Sequence, residues 1–231
     1  MSMPAPLDQV LLRPDVWRGD RFAPNEAGEL SSGFALLDAE LPGGGWPRGA
    51  LTELLPARRG IGELALLQPA LRQCAEAAPV ALVAPPLVPH APAWAAVLPL
   101  ERLLLVEASG REAAWAAEAL LGSGALGALL VWLPAQLDVR SLRRLQLAAE
   151  GHAAPVFVFR PPAMAHSASP APLRLVLSAV AQGLQVELLK RRGPPCPRPL
   201  RLDLARPVAS RPAVQRAPFQ PQQPQAEQVW V

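Results

Sequence analysis

The sequence is nearly devoid of lysine. Of its 231 residues, 22 are Lys or Arg, and Lys190 is the single lysine among them. Any chemistry that needs a lysine elsewhere in the chain is therefore excluded. Tyrosine is absent, and there are 2 cysteines and 3 histidines. Cys74 and Cys196 are too far apart to form a metal-ligand pair by spacing and imply no disulfide framework, which suits a reducing, cytoplasmic setting. His90, His152 and His166 are scattered, with no second ligand at metal spacing, so neither metal nor cofactor is expected. Prolines and charges interrupt every apolar run before ~18 residues, the length a membrane span needs, and no span is expected. Met1 to Val10 holds Pro4, Pro6 and Asp8 without a basic start or an apolar stretch, so it does not read as a signal peptide.

What is present suits one globular domain with tails. The chain is 51% hydrophobic and 18% charged, and domains typically run to ~100–200 residues. The net charge of +3 and a pI near 9.6 permit nucleic-acid contact but specify no site. Proline, at 29 residues, is well above the usual ~5%. Together with abundant Ala and Arg and scarce Lys, it matches GC-rich coding, a bias with no mechanism of its own.

Periodicity organises the chain. Residues 1–30 read as an N-terminal helical arm, with Leu7, Val10, Leu11 and Leu12 at helical spacing before Pro14. Trp17 and Phe22 follow. They either pack back on the domain or dock on a neighbour. Residues 31–205 read as the core domain. Strands are predicted at Ala50–Leu55, Val80–Ala84, Arg102–Val106, Gly127–Leu133 and Pro155–Arg160. Helices are predicted at Gly62–Ala77, with a kink at Pro69, and at Arg111–Leu121 and Asp138–Glu150, with a shorter piece at Pro92–Leu98. Short apolar strands alternating with helices indicate βαβ units and a parallel sheet. Leu173–Ser178 and Leu184–Arg191, joined at Gln182-Gly183, predict an antiparallel hairpin at its edge, and Leu200, Leu202 and Leu204 one further edge strand. Residues 206–231 are rich in Pro, Gln and Arg and read as a disordered tail. Phe219 and Trp230 are its apolar points, as in a peptide that folds on a partner or in an ordinary tail end.

The element order resembles a RecA-like ATPase core: an α/β fold with a central, mostly parallel sheet flanked by helices and an antiparallel C-terminal hairpin. The run Ser32-Gly33-Phe34 through Asp38, then Leu41-Pro42-Gly43-Gly44-Gly45-Trp46-Pro47-Arg48-Gly49-Ala50-Leu51-Thr52-Glu53, resembles the opening of the ImuA family, and Trp17-Arg18-Gly19 fits it too. ImuA proteins are RecA/SulA-related accessory factors of bacterial translesion-synthesis cassettes. The resemblance implies an SOS-inducible role in DNA repair and mutagenesis. The partners it implies are RecA, an ImuB-like Y-family polymerase homologue and an error-prone replicative-type polymerase, with nucleoid association during DNA damage. Kinship with SulA keeps a cell-division inhibitor as the alternative, beside a weak nucleotide- or single-strand-binding protein.

In the RecA-like pattern, a loop after the first strand cradles phosphates with backbone N–H groups, a lysine reaches the β/γ-phosphates and a Ser or Thr holds magnesium. Here that loop is Arg58-Arg59-Gly60-Ile61-Gly62-Glu63-Leu64. Its glycines remain, but Glu63 replaces the lysine and Leu64 cannot ligate magnesium, so the phosphate loop is degenerate. The positions for a catalytic Glu after Val80–Ala84 and for a magnesium-associated Asp at the end of Gly127–Leu133 hold Pro85-Pro86 and Trp132-Leu133. Phosphoryl transfer depends on cation and metal at those stations, so no ATPase activity is expected. Arg58 and Arg59 form either a solvated loop or a weak anion site beside a helix N-terminus.

DNA contact is expected to be weak or indirect, because the connections at 134–137 and 161–172 are too short to resemble the DNA-binding loops of RecA. Arg140, Arg143 and Arg144 share a helix face that meets either phosphates or solvent. Lys190, Arg191 and Arg192 occupy the place where RecA-family members carry interface lysines. They are a basic contact to DNA or a partner, or a solvated strand end.

Overall fold

A computed structural model describes residues 29–204. The arm residues Trp17 and Phe22, and Phe219 and Trp230 of the tail, lie outside the described residues. The central sheet has eight strands: β3 (Leu51–Pro56), β4 (Val80–Val83), β5 (Leu103–Val106), β6 (Ala128–Trp132), β7 (Val156–Phe159), β8 (Leu173–Val180), β9 (Gly183–Lys190) and β10 (Leu200–Leu202). Their spatial order is β10-β9-β8-β3-β7-β6-β4-β5. From β8 through to β5 all neighbours are parallel, and β9 and β10 close the other edge antiparallel. This is a mixed, mostly parallel α/β sheet with the arrangement of a RecA-like core, and the expected hairpin and edge strand stand where the pattern put them. A small ladder joins β1 (Glu29–Leu30) to β2 (Trp46–Pro47). It was not evident in the sequence because two-residue strands carry no periodicity.

The helices are α1 (Ala35–Asp38), α2 (Glu63–Ala77), α3 (Ala91–Ala95), α4 (Gly110–Gly122) and α5 (Val139–Ala149). Successive side chains of a strand point to opposite faces, so the apolar strands feed two cores. On one face Leu54, Leu82, Leu130, Phe157 and Leu175 meet Leu66, Leu67, Ala70 and Leu71 of α2. On the other, Leu51, Val83, Val131 and Val158 meet Ala113 and Ala117 of α4 and Leu142 and Leu145 of α5. The small alanines of α4 let it lie close to the sheet. Asp138 caps α5, its carboxylate accepting from the Ser141 N–H at 2.7 Å. No helix among the described residues is long and apolar enough to cross a membrane.

The run from Ser32 to Trp46 seals the α2 face. Leu30, Leu37, Leu41 and Trp46 are buried in that core, and Trp46 meets Phe157 edge-on at 5.4 Å. Asp38 ties the entry, accepting from the Ser31 hydroxyl at 2.7 Å and the Ser32 N–H at 2.8 Å. Gly33 has φ +82, and a Cβ there would sit 2.6 Å from the Pro69 ring. Pro69 lies inside α2, which runs unbroken from Glu63 to Ala77. Its ring forms the wall against which the Gly33 turn is laid.

Burial also sets the reactivity of the two thiols. Cys74 faces the core from α2, and burial pushes its thiol up to about 11, only partly offset by the nearby Arg48 charge. Since the thiolate is the nucleophile, Cys74 is neutral and inert at pH 8, whereas Cys196 is only half-buried. We expect an aromatic disulfide reagent to titrate one thiol in the native protein and two in denaturant. Two rapidly reacting native thiols would contradict this packing.

Candidate functional site

The carboxyl ends of parallel strands are where open α/β sheets bind ligands. Here β3 ends at Pro56, and residues 57–62 lead into α2. The loop carries an internal anion. The Gly60 N–H donates to Glu63 Oε1 at 2.8 Å, and the N–H groups of Ile61 and Gly62 donate to Oε2 at 2.8 and 3.1 Å. Consecutive backbone N–H groups converging at a helix start form an anion nest, and the chain's own carboxylate fills it. Gly62, at φ +109, is roofed by Leu204, whose methyl would lie 2.5 Å from a Cβ. Ile61, Leu64 and Leu204 pack against the α2-face core. Arg58 and Arg59 remain exposed.

By sequence, Glu63 stands where the RecA-like pattern has a phosphate-binding lysine. In the structure it stands in for the phosphate, taking the hydrogen bonds that a phosphate would need. The two other stations are likewise apolar or structural. Ala84, just after β4, has φ +54 and leads into Pro85-Pro86, and Trp132, at the end of β6, stacks on Phe159 with centroids 4.7 Å apart and planes within 7°. Among the described residues no group of three or more His, Cys, Asp or Glu is placed to hold a metal.

Beneath these loops lies a buried charge cluster that the sequence reading missed. Glu53 of β3 is 1% exposed, and Arg160 and Arg174 are buried with it. Glu53 Oε2 accepts from Arg174 Nε at 2.5 Å, and Oε1 meets Arg160 Nη1 at 3.5 Å. Other guanidinium N–H groups of both arginines reach outward to the loops. Arg160 Nη2 donates to the carbonyls of Pro134, Ala135 and Leu137 at 3.2 to 3.4 Å. Arg174 donates to those of Met164, Ala165 and Ser167 at 2.7 to 3.4 Å. Glu53 thus anchors, through two arginines, both short connections that the sequence compared with DNA-binding loops. The signal was available: one Glu inside Leu-Thr-Glu-Leu-Leu and one Arg inside Leu-Arg-Leu interrupt strands that a parallel sheet buries on both faces.

The sequence-predicted basic residues divide into three settings. Arg191 turns inward, its guanidinium taken up by the Glu40 carboxylate, the Glu40 carbonyl and the Pro194 carbonyl. Lys190 is at the surface and donates to the Ser169 carbonyl at 3.0 Å. Burial of its stem, then the Arg174 charge, hold its ammonium below the usual lysine range. Arg192 is exposed. Arg140, Arg143 and Arg144 are all exposed on α5, and Arg144 grips Glu118 of α4 with two bonds at 3.1 and 2.6 Å.

No family model matches this chain, and the search of curated proteins likewise found no match. Among solved structures, SulA from Pseudomonas aeruginosa is similar at 29% identity over 48% of this chain and 97% of that one, with a TM-score of 0.40. At that score the overlap carries no structural argument, and the fold assignment above rests on strand order and direction.

Substitutions at two positions test the site's construction. Removing one member of a buried ionic cluster typically costs ~3–5 kcal/mol, because the partner charges stay buried. Glu53→Ala should lose that much in urea unfolding, and Glu53→Gln somewhat less. Glu63→Ala, which strands three loop N–H groups near solvent, should cost about 1 kcal/mol. It should also speed amide exchange at residues 60–62 without touching the rest of the sheet.

Proposed function

We propose that this chain is a non-catalytic, RecA-like accessory protein of SOS-induced translesion synthesis. In this reading it acts through contacts with RecA and with an ImuB-like Y-family polymerase homologue, and through the latter with an error-prone replicative-type polymerase. The observation that carries the reading is the Glu63 carboxylate in the loop's anion nest. A triphosphate entering there would have to displace three hydrogen bonds and face a fixed negative charge, with neither lysine nor carboxylate at the other stations to repay it. A RecA-like core so built keeps its shape without nucleotide, as a docking scaffold would.

Two further features support it. The residues from Ser32 to Glu53, which carry the resemblance to ImuA proteins, form the seal and the central anchor of the domain. Strand β5 pairs only with β4 among the described residues, which leaves one edge of a parallel sheet open for an incoming strand.

The test has two arms. Isothermal titration with ATP and magnesium should give no binding below the millimolar range; sub-millimolar binding overturns the non-catalytic reading. Pull-down with RecA and with the ImuB-like protein should capture the intact chain, and changing Trp17 and Phe22 to Ala should weaken RecA capture. Failure to bind either partner, together with blocked septation on overexpression, would favour the cell-division inhibitor instead.

A further inference from the structure

The outer surface of α4 and α5 is a second charged feature, remote from the phosphate loop and independent of the function proposed above. Trp115 is 67% exposed on α4, and Leu147 is 65% exposed on α5. Both point away from the sheet, which α4 meets through Ala113, Ala114, Ala117 and Leu121, and α5 through Leu142, Leu145 and Ala149. A large aromatic left open on an otherwise alanine-rich helix contributes nothing to the core and bears a cost in solubility.

Charged residues of both signs flank it, Glu112 and Glu118 on its own helix and arginines on both helices. Arg111 is one turn before Trp115, and Glu118, which bridges to Arg144 of α5, is one turn after it. Asp138 shows how the other helix contributes. Its carboxyl is held below the usual range first by its bond from the Ser141 N–H, and then by the nearby charges of Arg111 and Arg140. The two helices thus bring Arg111 and Arg140 to one place. Among the described residues Arg111, Arg140 and Arg143 make no ion pair and no side-chain hydrogen bond, unlike Arg144 and Arg191. Arg140 and Arg144 lie one helical turn apart, about 6 Å along the axis.

We propose that this α4–α5 face binds single-stranded nucleic acid, with a base stacked on Trp115 and consecutive phosphates on Arg140, Arg143 and Arg111. An exposed aromatic among unpaired arginines is the combination that single-strand binding uses: the ring accepts any base, and the cations track the backbone. An acidic peptide would satisfy the arginines as well, but a base uses the flat, exposed indole as a sequence-tolerant stacking platform. Both helix surfaces are convex, which suits a strand laid across them better than a peptide that needs a groove. The Glu118 carboxylate orients Arg144, and Arg111 and Arg140 share the nearby Asp138 charge without closing an ion pair on it.

The experiment is fluorescence anisotropy of a labelled oligothymidine with the full-length protein over a range of salt. The wild type should bind at low salt and weaken as salt rises. Trp115→Ala should weaken binding at least fivefold, since base stacking is worth ~1–3 kcal/mol, and Trp115→Phe should recover part of the loss. Arg140→Gln with Arg143→Gln should reduce the salt slope by about 1.4, at ~0.7 per lost phosphate contact. All these side chains are exposed, so circular dichroism and melting temperature should not change. Two results would overturn the proposal. One is absence of salt-dependent binding by the wild type. The other is unchanged affinity in Trp115→Ala with polyglutamate competing as well as DNA, which would assign the face to an acidic protein partner.

Discussion

The Glu53 carboxylate is the point on which the sheet's functional end depends. It sits on the central strand, flanked by β7 and β8, with Arg160 just past the end of β7 and Arg174 near the start of β8. A carboxylate so deeply buried is tolerable only when its oxygens are paired. Each arginine in turn places further N–H groups on loop carbonyls, Arg160 through Nη2 and Arg174 through Nη1 and Nη2. The planar, five-donor fork of arginine makes this geometry possible; a lysine could reach the carboxylate but not span to several carbonyls at once. The cluster holds two arginines to one glutamate, and Arg160 Nε has no hydrogen-bond partner among the described residues. The loops are therefore held by an interaction that is itself costly, so they have little freedom to rearrange around a ligand.

The phosphate loop follows the same logic at smaller scale. A nest of N–H groups at a helix start attracts negative charge, whichever molecule supplies it. Here the charge is covalently tethered, and no ligand concentration can compete with it cheaply. In both places converging polar groups are satisfied from within the chain, Glu53 by two arginines and the loop N–H groups by Glu63.

Most of the fold was legible because its signals are local. The apolar runs at Val80–Ala84, Gly127–Leu133 and Pro155–Arg160 each became a strand, shifted by a residue or two at the ends. Gln182-Gly183 marked the turn of the edge hairpin, and Asp138 was recognised as a helix start. What stayed hidden was long-range. Nothing in the spacing between Glu53, Arg160 and Arg174 says that they meet, since parallel strands separated by about a hundred residues bring them together. The identity of Glu63 was read correctly but its direction was not, because sequence gives a charge and not where the side chain bends. Arg191 seemed equivalent to its neighbours, and only its meeting with Glu40, across most of the chain, separates it from them. Helical spacing alone does not reveal that Trp115 faces solvent while the small residues of α4 meet the sheet.

The beginning and end of the described chain converge. Helix α1 packs against β10, Arg191 holds Glu40, and Leu204 rests on Gly62. The domain is closed on itself like a ring whose clasp lies over the α2 face. The first and last described elements rest on the same core, so removing either contact uncovers it. A circular permutant joined across the clasp and opened elsewhere on the surface keeps every contact that matters. Topologically, the order of the elements around the ring carries the fold, and the position of its ends is incidental.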